Sequence, residues 1–125
     1  MITYLTLDDL LGYIDVAGWG PIRDIGLLDS ACQRPRSSAF GVDAYPDLHS
    51  KAAALMHSLV KNHALVDGNK RIAWLATLMF LGRNGFTVNA GPDKETAFVL
   101  AAAAGEIDTP QIAAQLQEWI VPLER

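Results

Sequence analysis

Residues 69–84 read NKRIAWLATLMFLGRN, and this stretch decides the fold. Apolar side chains fall on nearly every side of a helix drawn through it; they are Ile72, Trp74, Leu75, Leu78, Met79, Phe80 and Leu81. Gly85 follows at the position that tolerates a left-handed residue after a helix. Because a helix that is apolar all round is enclosed by its neighbours, residues 69–84 are predicted to form the buried central helix.

Five further segments pair a helix-start signal with apolar residues at steps of three and four. Their starts lie near Thr6, Asp24, Asp47, Asp93 and Thr109. Residues 85–88 have an extended character, but one such segment does not make a sheet. The pattern predicts an all-α protein, a compact bundle of about six helices, with residues 1–125 as a single domain.

The composition is typical of one globular domain. Of the 125 residues, 50% are hydrophobic and 19% are charged, which is too apolar for a disordered chain. A chain of this length buries enough surface to form a core without disulfide bonds. The one cysteine, Cys32, excludes an internal disulfide and suits a reducing compartment.

Net charge and hydropathy limit the classes of partner and the cellular location that the sequence predicts. The formal net charge of −4 argues against direct nucleic-acid binding. Residues 1–11 lack the basic start of a signal peptide, and the longest nearly unbroken apolar run, residues 72–81, is about half of a membrane span. We therefore expect a cytoplasmic protein that has no signal peptide and does not bind membranes.

The stretch HALVDGNKR, residues 63–71, carries the unusual chemistry. Lys70 and Arg71 fall in the first turn of the predicted central helix, where the helix dipole disfavours exposed cations by about 0.3–1 kcal/mol each. Gly68 precedes them and lets backbone amides turn toward one point, and such a turn running into a helix is a ready anion site. A phosphate bound at that point accounts for both cations.

Two neighbouring residues add what phosphoryl transfer requires. Asp67 offers a carboxylate that, together with substrate phosphates, is enough to hold Mg²⁺. His63 ends the preceding helix, and its imidazole is suited to take a proton from an attacking hydroxyl. A plain structural interpretation stays open: His63 would cap a helix and Asp67 would belong to a turn. The two cations would then form a solvated surface.

Residues 63–71 resemble the signature of the Fic/Doc family, H-x-F-x-(D/E)-G-N-(G/K)-R. The flanking stretches RDIGLLDSA (residues 23–31) and LMFLGRNG (residues 78–85) are similar to those of the Doc branch. The resemblance implies the Fic/Doc fold, with the motif as a loop between two central helices. It also implies a set of roles: His63 faces the substrate hydroxyl, Asp67 binds Mg²⁺, Gly68 and Asn69 belong to the anion hole, and Lys70 and Arg71 contact phosphate.

Two positions depart from the general pattern of the family. Leu65 stands where the family usually has Phe, whose side chain packs the loop onto the core, so we expect the loop to be held differently. Lys70 stands where AMP-transferring members have Gly, and this is the Doc form. The resemblance then implies a reversed nucleotide that presents its γ-phosphate, which gives phosphorylation instead of AMP transfer.

The function implied by this resemblance is that of a toxin in a toxin–antitoxin system. Such a toxin is an ATP- and Mg²⁺-dependent protein kinase that modifies a threonine of elongation factor Tu and stops translation. Two alternatives stay open: an AMP transferase on the same scaffold, and a catalytically silent helical binding protein. The self-blocking stretch of some Fic proteins, (S/T)-x-x-x-E-(G/N), is absent. We therefore expect restraint by a separate Phd-type antitoxin whose C-terminal segment folds onto the toxin.

Residues 35–47 mix Pro, Ser, Gly and Asp and show little periodicity. They predict a long loop, and long loops in compact domains tend to be functional. We expect this loop to lie near the motif and to contact the protein substrate.

Overall fold

The computed structural model describes residues 1–124. These residues form six α-helices and two short antiparallel sheets of two strands each. The helices are α1 (Leu7–Ala17), α2 (Ile25–Gln33), α3 (Leu48–Asn62), α4 (Asn69–Arg83), α5 (Pro92–Ala103) and α6 (Thr109–Trp119). The strands are β1 (Ser38–Ala39), β2 (Val42–Asp43), β3 (Phe86–Val88) and β4 (Ile120–Pro122).

The predicted all-α class and the six helices are confirmed. The helix starts near Thr6 and Asp24 are capped as local sequence suggests, because each side chain accepts a hydrogen bond from a backbone N–H of the first turn. The extended residues after Gly85 pair with the end of the described chain, as β3 with β4. Within residues 1–124, no helix combines the length and the apolar character needed to cross a membrane.

Helix α3, rather than α4, lies at the centre of the bundle. Nine of its 15 residues are buried, and it packs against α2, α4, α5 and α6. Helix α4 buries one side only, whereas Leu75 and Leu78 are half-buried and Met79 is exposed. The expectation that residues 69–84 are buried on all sides was therefore wrong. The apolar outer face of α4 borders an open groove instead of another helix.

Small residues explain why α3 can be enclosed. Ala52, Ala53 and Ala54 follow one another along the helix and are all fully buried. Alanine is the best helix former, and its short side chain lets neighbouring backbones approach on several sides. The packing around α3 therefore brings its carboxyl end and the amino end of α4 together, and the motif loop joins these two ends.

Residues 34–47 form a braced hairpin rather than a featureless loop. A turn of 3₁₀ helix covers Arg34–Arg36, and β1 and β2 pair after it. The buried Lys51 donates from Nζ to the Pro35 carbonyl (3.2 Å) and binds the Asp43 carboxylate (3.4 Å). Roughly 17 Å of helix separates Lys51 from the end of α3. The hairpin is thus held at the amino-terminal half of α3, and the expectation that it lies near the motif is not met.

Candidate active site at the start of α4

A cleft of about 580 Å³ opens where the end of α3 meets the start of α4. It is lined by Val60, His63, Val66, Asp67, Gly68, Asn69, Lys70, Arg71 and Ala103. All six site residues predicted from the sequence are in this set. The fold therefore brings the imidazole, the carboxylate and the two cations around one space.

His63 ends α3 in a left-handed backbone conformation. Its φ is 50° and its ψ is 49°, and this conformation costs a residue with a side chain roughly 1–2 kcal/mol. Such a residue persists only where surrounding contacts hold it. His63 both caps α3 and lines the cleft. The structural and the catalytic interpretations of this residue are therefore compatible.

Backbone hydrogen bonds join the motif loop, residues 64–67, to the segment between α1 and α2, residues 20–24. The Ala64 carbonyl accepts from the N–H groups of Arg23 (2.7 Å) and Asp24 (3.0 Å), the Val66 N–H donates to the Pro21 carbonyl (2.9 Å), and the Gly20 N–H donates to the Asp67 carbonyl (3.1 Å). Ile22 and Leu65 face each other in an antiparallel bridge. The loop is thus fixed along its whole length before any ligand binds.

Leu65 and Asn69 fasten the loop to α4. Leu65 is buried, so the smaller side chain still anchors the loop in the core. The Asn69 side chain accepts a hydrogen bond from the Leu65 N–H (2.9 Å) and donates one to the Leu65 carbonyl (2.8 Å). Because both ends of the Asn69 amide are occupied, its backbone N–H is the group that remains for an anion.

Gly68 is needed at the turn between the loop and α4. Its φ is 101°, and a β-carbon there would stand 2.9 Å from Cβ and 3.1 Å from Cγ of Trp19. Real β-carbons do not come that close to other carbon atoms, and residues with side chains rarely adopt this φ. Gly68 thus allows both the turn and the approach of Trp19.

The first turn of α4 leaves backbone N–H groups available at the cleft. Such groups have no acceptor within a helix, and within residues 1–124 no side chain caps α4. The first bond of the helix runs from the Ile72 N–H to the Gly68 carbonyl (2.9 Å). The N–H groups of Asn69, Lys70 and Arg71 remain, and the positive end of the helix dipole adds to the attraction for an anion.

The charged side chains of the site are free to engage a ligand. Arg71 Nη2 lies 3.4 Å from Asp67 Oδ2, with 58% and 80% of the two side chains exposed. An exposed pair of this kind contributes little to stability. The Arg71 guanidinium also lies over the Trp19 ring, 5.7 Å from its centre, which limits the directions it can take. Within residues 1–124, Lys70 forms no ion pair.

The residues present fit Mg²⁺ only together with a nucleotide. Asp67 is the one carboxylate among the residues that line the cleft, and no group of three or more metal-ligating side chains occurs within residues 1–124. Mg²⁺ is commonly held by one or two carboxylates, substrate phosphates and water. The exposed Asp67 carboxylate beside an anion site matches that donor set, whereas a metal held by the protein alone does not.

Sequence reasoning missed two residues that hold the site. Trp19 packs against Gly68 and Arg71, and the Arg23 side chain binds the carbonyl of His63. Both belong to the connection between α1 and α2, far from the motif in sequence. The glycine at position 68 signals a close approach, but the sequence pattern does not show which residue approaches.

A second, largely apolar groove of about 520 Å³ borders the same two cations. It is lined by Trp19, Lys70, Arg71, Trp74, Leu75, Leu78, Pro92, Glu95, Thr96, Val99 and Leu100. Here the outer face of α4 meets α5 across the groove. Because Lys70 and Arg71 line both spaces, an occupant of the groove lies next to the anion site.

Comparison with known proteins identifies the family. The model described as the Fic/DOC family matches residues 4–81, which include the motif loop, the segment 20–24 bonded to it and most of α4. The protein named Toxin Doc of Mycolicibacterium smegmatis is 48% identical over 120 residues, which cover 93% of this chain and 92% of that protein. The chain therefore belongs to the Fic/Doc family.

Proposed function

We propose that this protein is the toxin of a toxin–antitoxin system and acts as an ATP- and Mg²⁺-dependent protein kinase. One observation carries the proposal: His63, Asp67, Lys70 and Arg71 line a single cleft at the uncapped start of α4. Positioned phosphate contacts and a group that orients the nucleophile are the parts that phosphoryl transfer needs. The toxin role is supported by 48% identity to the protein named Toxin Doc.

His63 acts on the hydroxyl of the protein substrate. Its imidazole accepts the hydroxyl proton while the oxygen attacks the γ-phosphorus of ATP. The new oxygen–phosphorus bond forms as the bond to the β,γ-bridging oxygen breaks, and ADP leaves with that electron pair. Because the motif loop is already fixed by residues 20–24 and by Asn69, little ordering is needed when the substrate arrives.

The start of α4 holds the phosphates. Its free N–H groups donate hydrogen bonds to an anion, Arg71 can bind two phosphate oxygens at once, and Lys70 adds a movable charge. Asp67 would hold Mg²⁺, which when bound neutralises charge on the phosphates. Because the backbone N–H groups, Arg71 and Lys70 all border the cleft, they would limit the orientation of the nucleotide as well as bind it.

Lys70 supports phosphorylation over AMP transfer. Glycine at this position leaves room beside the anion site, whereas lysine brings both bulk and charge, which restricts how a triphosphate lies. The proposed substrate is elongation factor Tu, modified at a threonine, so the reaction takes place in the cytoplasm. Modification of that factor stops translation and accounts for toxicity.

The experiment that tests the reaction uses ATP labelled at either phosphorus. Purified protein, Mg²⁺ and elongation factor Tu are incubated with the γ-labelled or the α-labelled nucleotide. We expect transfer of label from the γ-position alone, and we expect the rate of transfer to fall about a hundredfold or more in His63→Ala. Transfer of the α-label would establish AMP transfer instead. No transfer of either label, with nucleotide still bound, would favour a silent binding protein.

We further propose that the antitoxin is of Phd type and that its C-terminal segment occupies the apolar groove. Support comes from the groove's position, since an occupant touching Lys70 and Arg71 competes with phosphate for them. Leu78→Glu puts a charge on the apolar wall and should abolish neutralisation in cells while transfer persists. Val16→Glu is the control, because Val16 is 90% exposed on α1 and outside the groove. Equal neutralisation of both variants would remove the groove from this role.

A further inference from the structure

The side chain of Arg23 binds the end of α3 at the residue that lines the cleft. Its Nε donates to the His63 carbonyl at 2.8 Å. Its Nη2 also donates to the His63 carbonyl, and it donates to the Asn62 carbonyl at 3.3 Å. Carbonyl groups at the end of a helix have no donor within it, and a cation there is favoured by the helix dipole. Arg23 therefore serves as an external cap for α3.

Arg23 reaches both sides of His63 in the chain. Its side chain binds the carbonyls of Asn62 and His63, while its own N–H donates to the Ala64 carbonyl at 2.7 Å. The next residue, Asp24, donates to the same Ala64 carbonyl and caps α2. Arg23 therefore lies directly before the cap of α2 and forms hydrogen bonds with three consecutive residues, 62–64, around the imidazole.

These contacts act on a backbone that needs support. His63 has a left-handed conformation that is unfavourable for a residue with a side chain. The two peptide planes that flank His63 set the direction of its Cα–Cβ bond and hence the space its ring can reach. A guanidinium bound to the carbonyls of both planes restricts both.

We propose that Arg23 is a positioning residue that holds the His63 imidazole toward the cleft. This inference rests on the proposed function, because the imidazole is the group on which transfer depends. Arg23 is exposed, and exposed polar contacts add little to the stability of a fold. The effect of Arg23 on transfer is therefore separable from any effect on folding.

The test compares Arg23 with Arg83, an arginine at the far end of α4. Arg83 also makes three side-chain hydrogen bonds, two to the Asp9 carboxylate at 2.9 Å and one to the Tyr13 hydroxyl at 3.2 Å. The variants are Arg23→Gln, Arg23→Lys and Arg83→Gln, each in the full chain. We expect Arg23→Gln to lower kcat at least about tenfold with the KM for ATP within about twofold. Arg23→Lys should recover part of the loss, and Arg83→Gln should stay within about twofold of the unchanged protein.

A second measurement needs neither nucleotide nor substrate. The chain has three histidines, so the imidazole carbon resonances can be assigned by single His→Gln variants. We expect the His63 resonance to shift or broaden in Arg23→Gln and to stay in place in Arg83→Gln.

Two results would overturn the inference: an unchanged kcat and His63 resonance in Arg23→Gln, or equal changes in Arg23→Gln and Arg83→Gln. If the unchanged protein transfers no label at all, the proposed function fails. The resonance comparison then still decides whether Arg23 positions His63.

Discussion

The Asn69 side chain forms two hydrogen bonds with the backbone of Leu65. The Leu65 N–H donates to Asn69 Oδ1, and Asn69 Nδ2 donates to the Leu65 carbonyl. The Asn69 side chain thus satisfies both backbone groups of Leu65, as a neighbouring strand would in a sheet. These two hydrogen bonds tie the motif loop to Asn69, the first residue of α4. They explain how a loop that must stay open to a ligand can remain rigid.

We expect Asn69→Ala to destabilise the fold by about 1–3 kcal/mol. The Leu65 side chain is 1% exposed, so its backbone N–H and carbonyl lose partners in a place that water reaches poorly. Urea unfolding should show a lower midpoint with an unchanged slope. Asn89→Ala is the matched control, because Asn89 is exposed and lies in a loop. A change as small as that of Asn89→Ala would mean that the Asn69 pairing does not stabilise the loop.

Gly68→Ala should be more harmful than its single methyl group suggests. The added β-carbon meets Trp19 at 2.9 Å and requires a φ of 101° from a residue with a side chain. We expect the free energy of unfolding to fall by about 1–3 kcal/mol. We also expect weaker nucleotide binding, because the turn that orients the backbone N–H groups of α4 shifts. Unfolding by urea and calorimetric titration with ATP measure the two effects.

Gly12→Ala is the control for that substitution. Gly12 lies inside α1 with nothing within 4 Å of an added β-carbon. Alanine there should stabilise the protein by up to about 1 kcal/mol, since it is the better helix former. If the two glycine substitutions have the same sign, the close approach of Trp19 to Gly68 does not constrain the fold.

The part of the fold that local signals determine was predictable. The Thr6 hydroxyl and the Asp9 carboxylate cap α1 reciprocally, as the spacing indicates. Burial depends on what covers a helix, and periodicity does not contain that information. The outer face of α4 is as apolar as its inner face, yet its Met79 is exposed. For the same reason the centre of the bundle falls on the alanine-rich α3.

The candidate site was predictable to the extent that its residues are consecutive. Residues 63–71 contain the glycine turn, the cations and the imidazole, and the loop geometry brings them to one cleft. The supporting residues were not predictable in the same way. Arg23 bonds to His63 across a separation of 40 residues, and a surface arginine in a connection has no periodic signature. Only the packing of α2 against α3 brings the two together.

Cys32 should be unreactive in the folded protein. It is 2% exposed, and burial, followed by the charge of Asp29, raises the pKa of its thiol to about 12. Since the thiolate is the nucleophile, labelling by a disulfide reagent near neutral pH should be at least about a hundredfold slower than in concentrated urea. Rapid labelling without urea would show that the helix carrying Cys32 opens readily.

His57 should make the protein sensitive to mild acid. Burial, and then the adjacent Arg34, lower the pKa of its imidazole. The Arg34 Nη1 lies 2.8 Å from Nδ1, and because arginine only donates, that nitrogen must be the unprotonated acceptor. In the unfolded chain the imidazole takes up a proton near pH 6.5. The unfolded state therefore binds more protons below about pH 6.5, so the contribution of His57 to stability is complete above that pH and declines as the pH falls toward the lower folded pKa.

His57→Gln separates this contribution from that of other groups, because glutamine keeps an acceptor for Arg34 and does not titrate. Urea unfolding between neutral and mildly acidic pH should give a steeper loss of stability for the unchanged protein than for the variant. The carboxylate of Asp108 opposes the shift and Lys61 adds to it, and both groups are present in the two proteins. Parallel curves would mean that His57 accepts a proton in the fold as easily as in the unfolded chain, and the bond from Arg34 would then not hold the ring neutral.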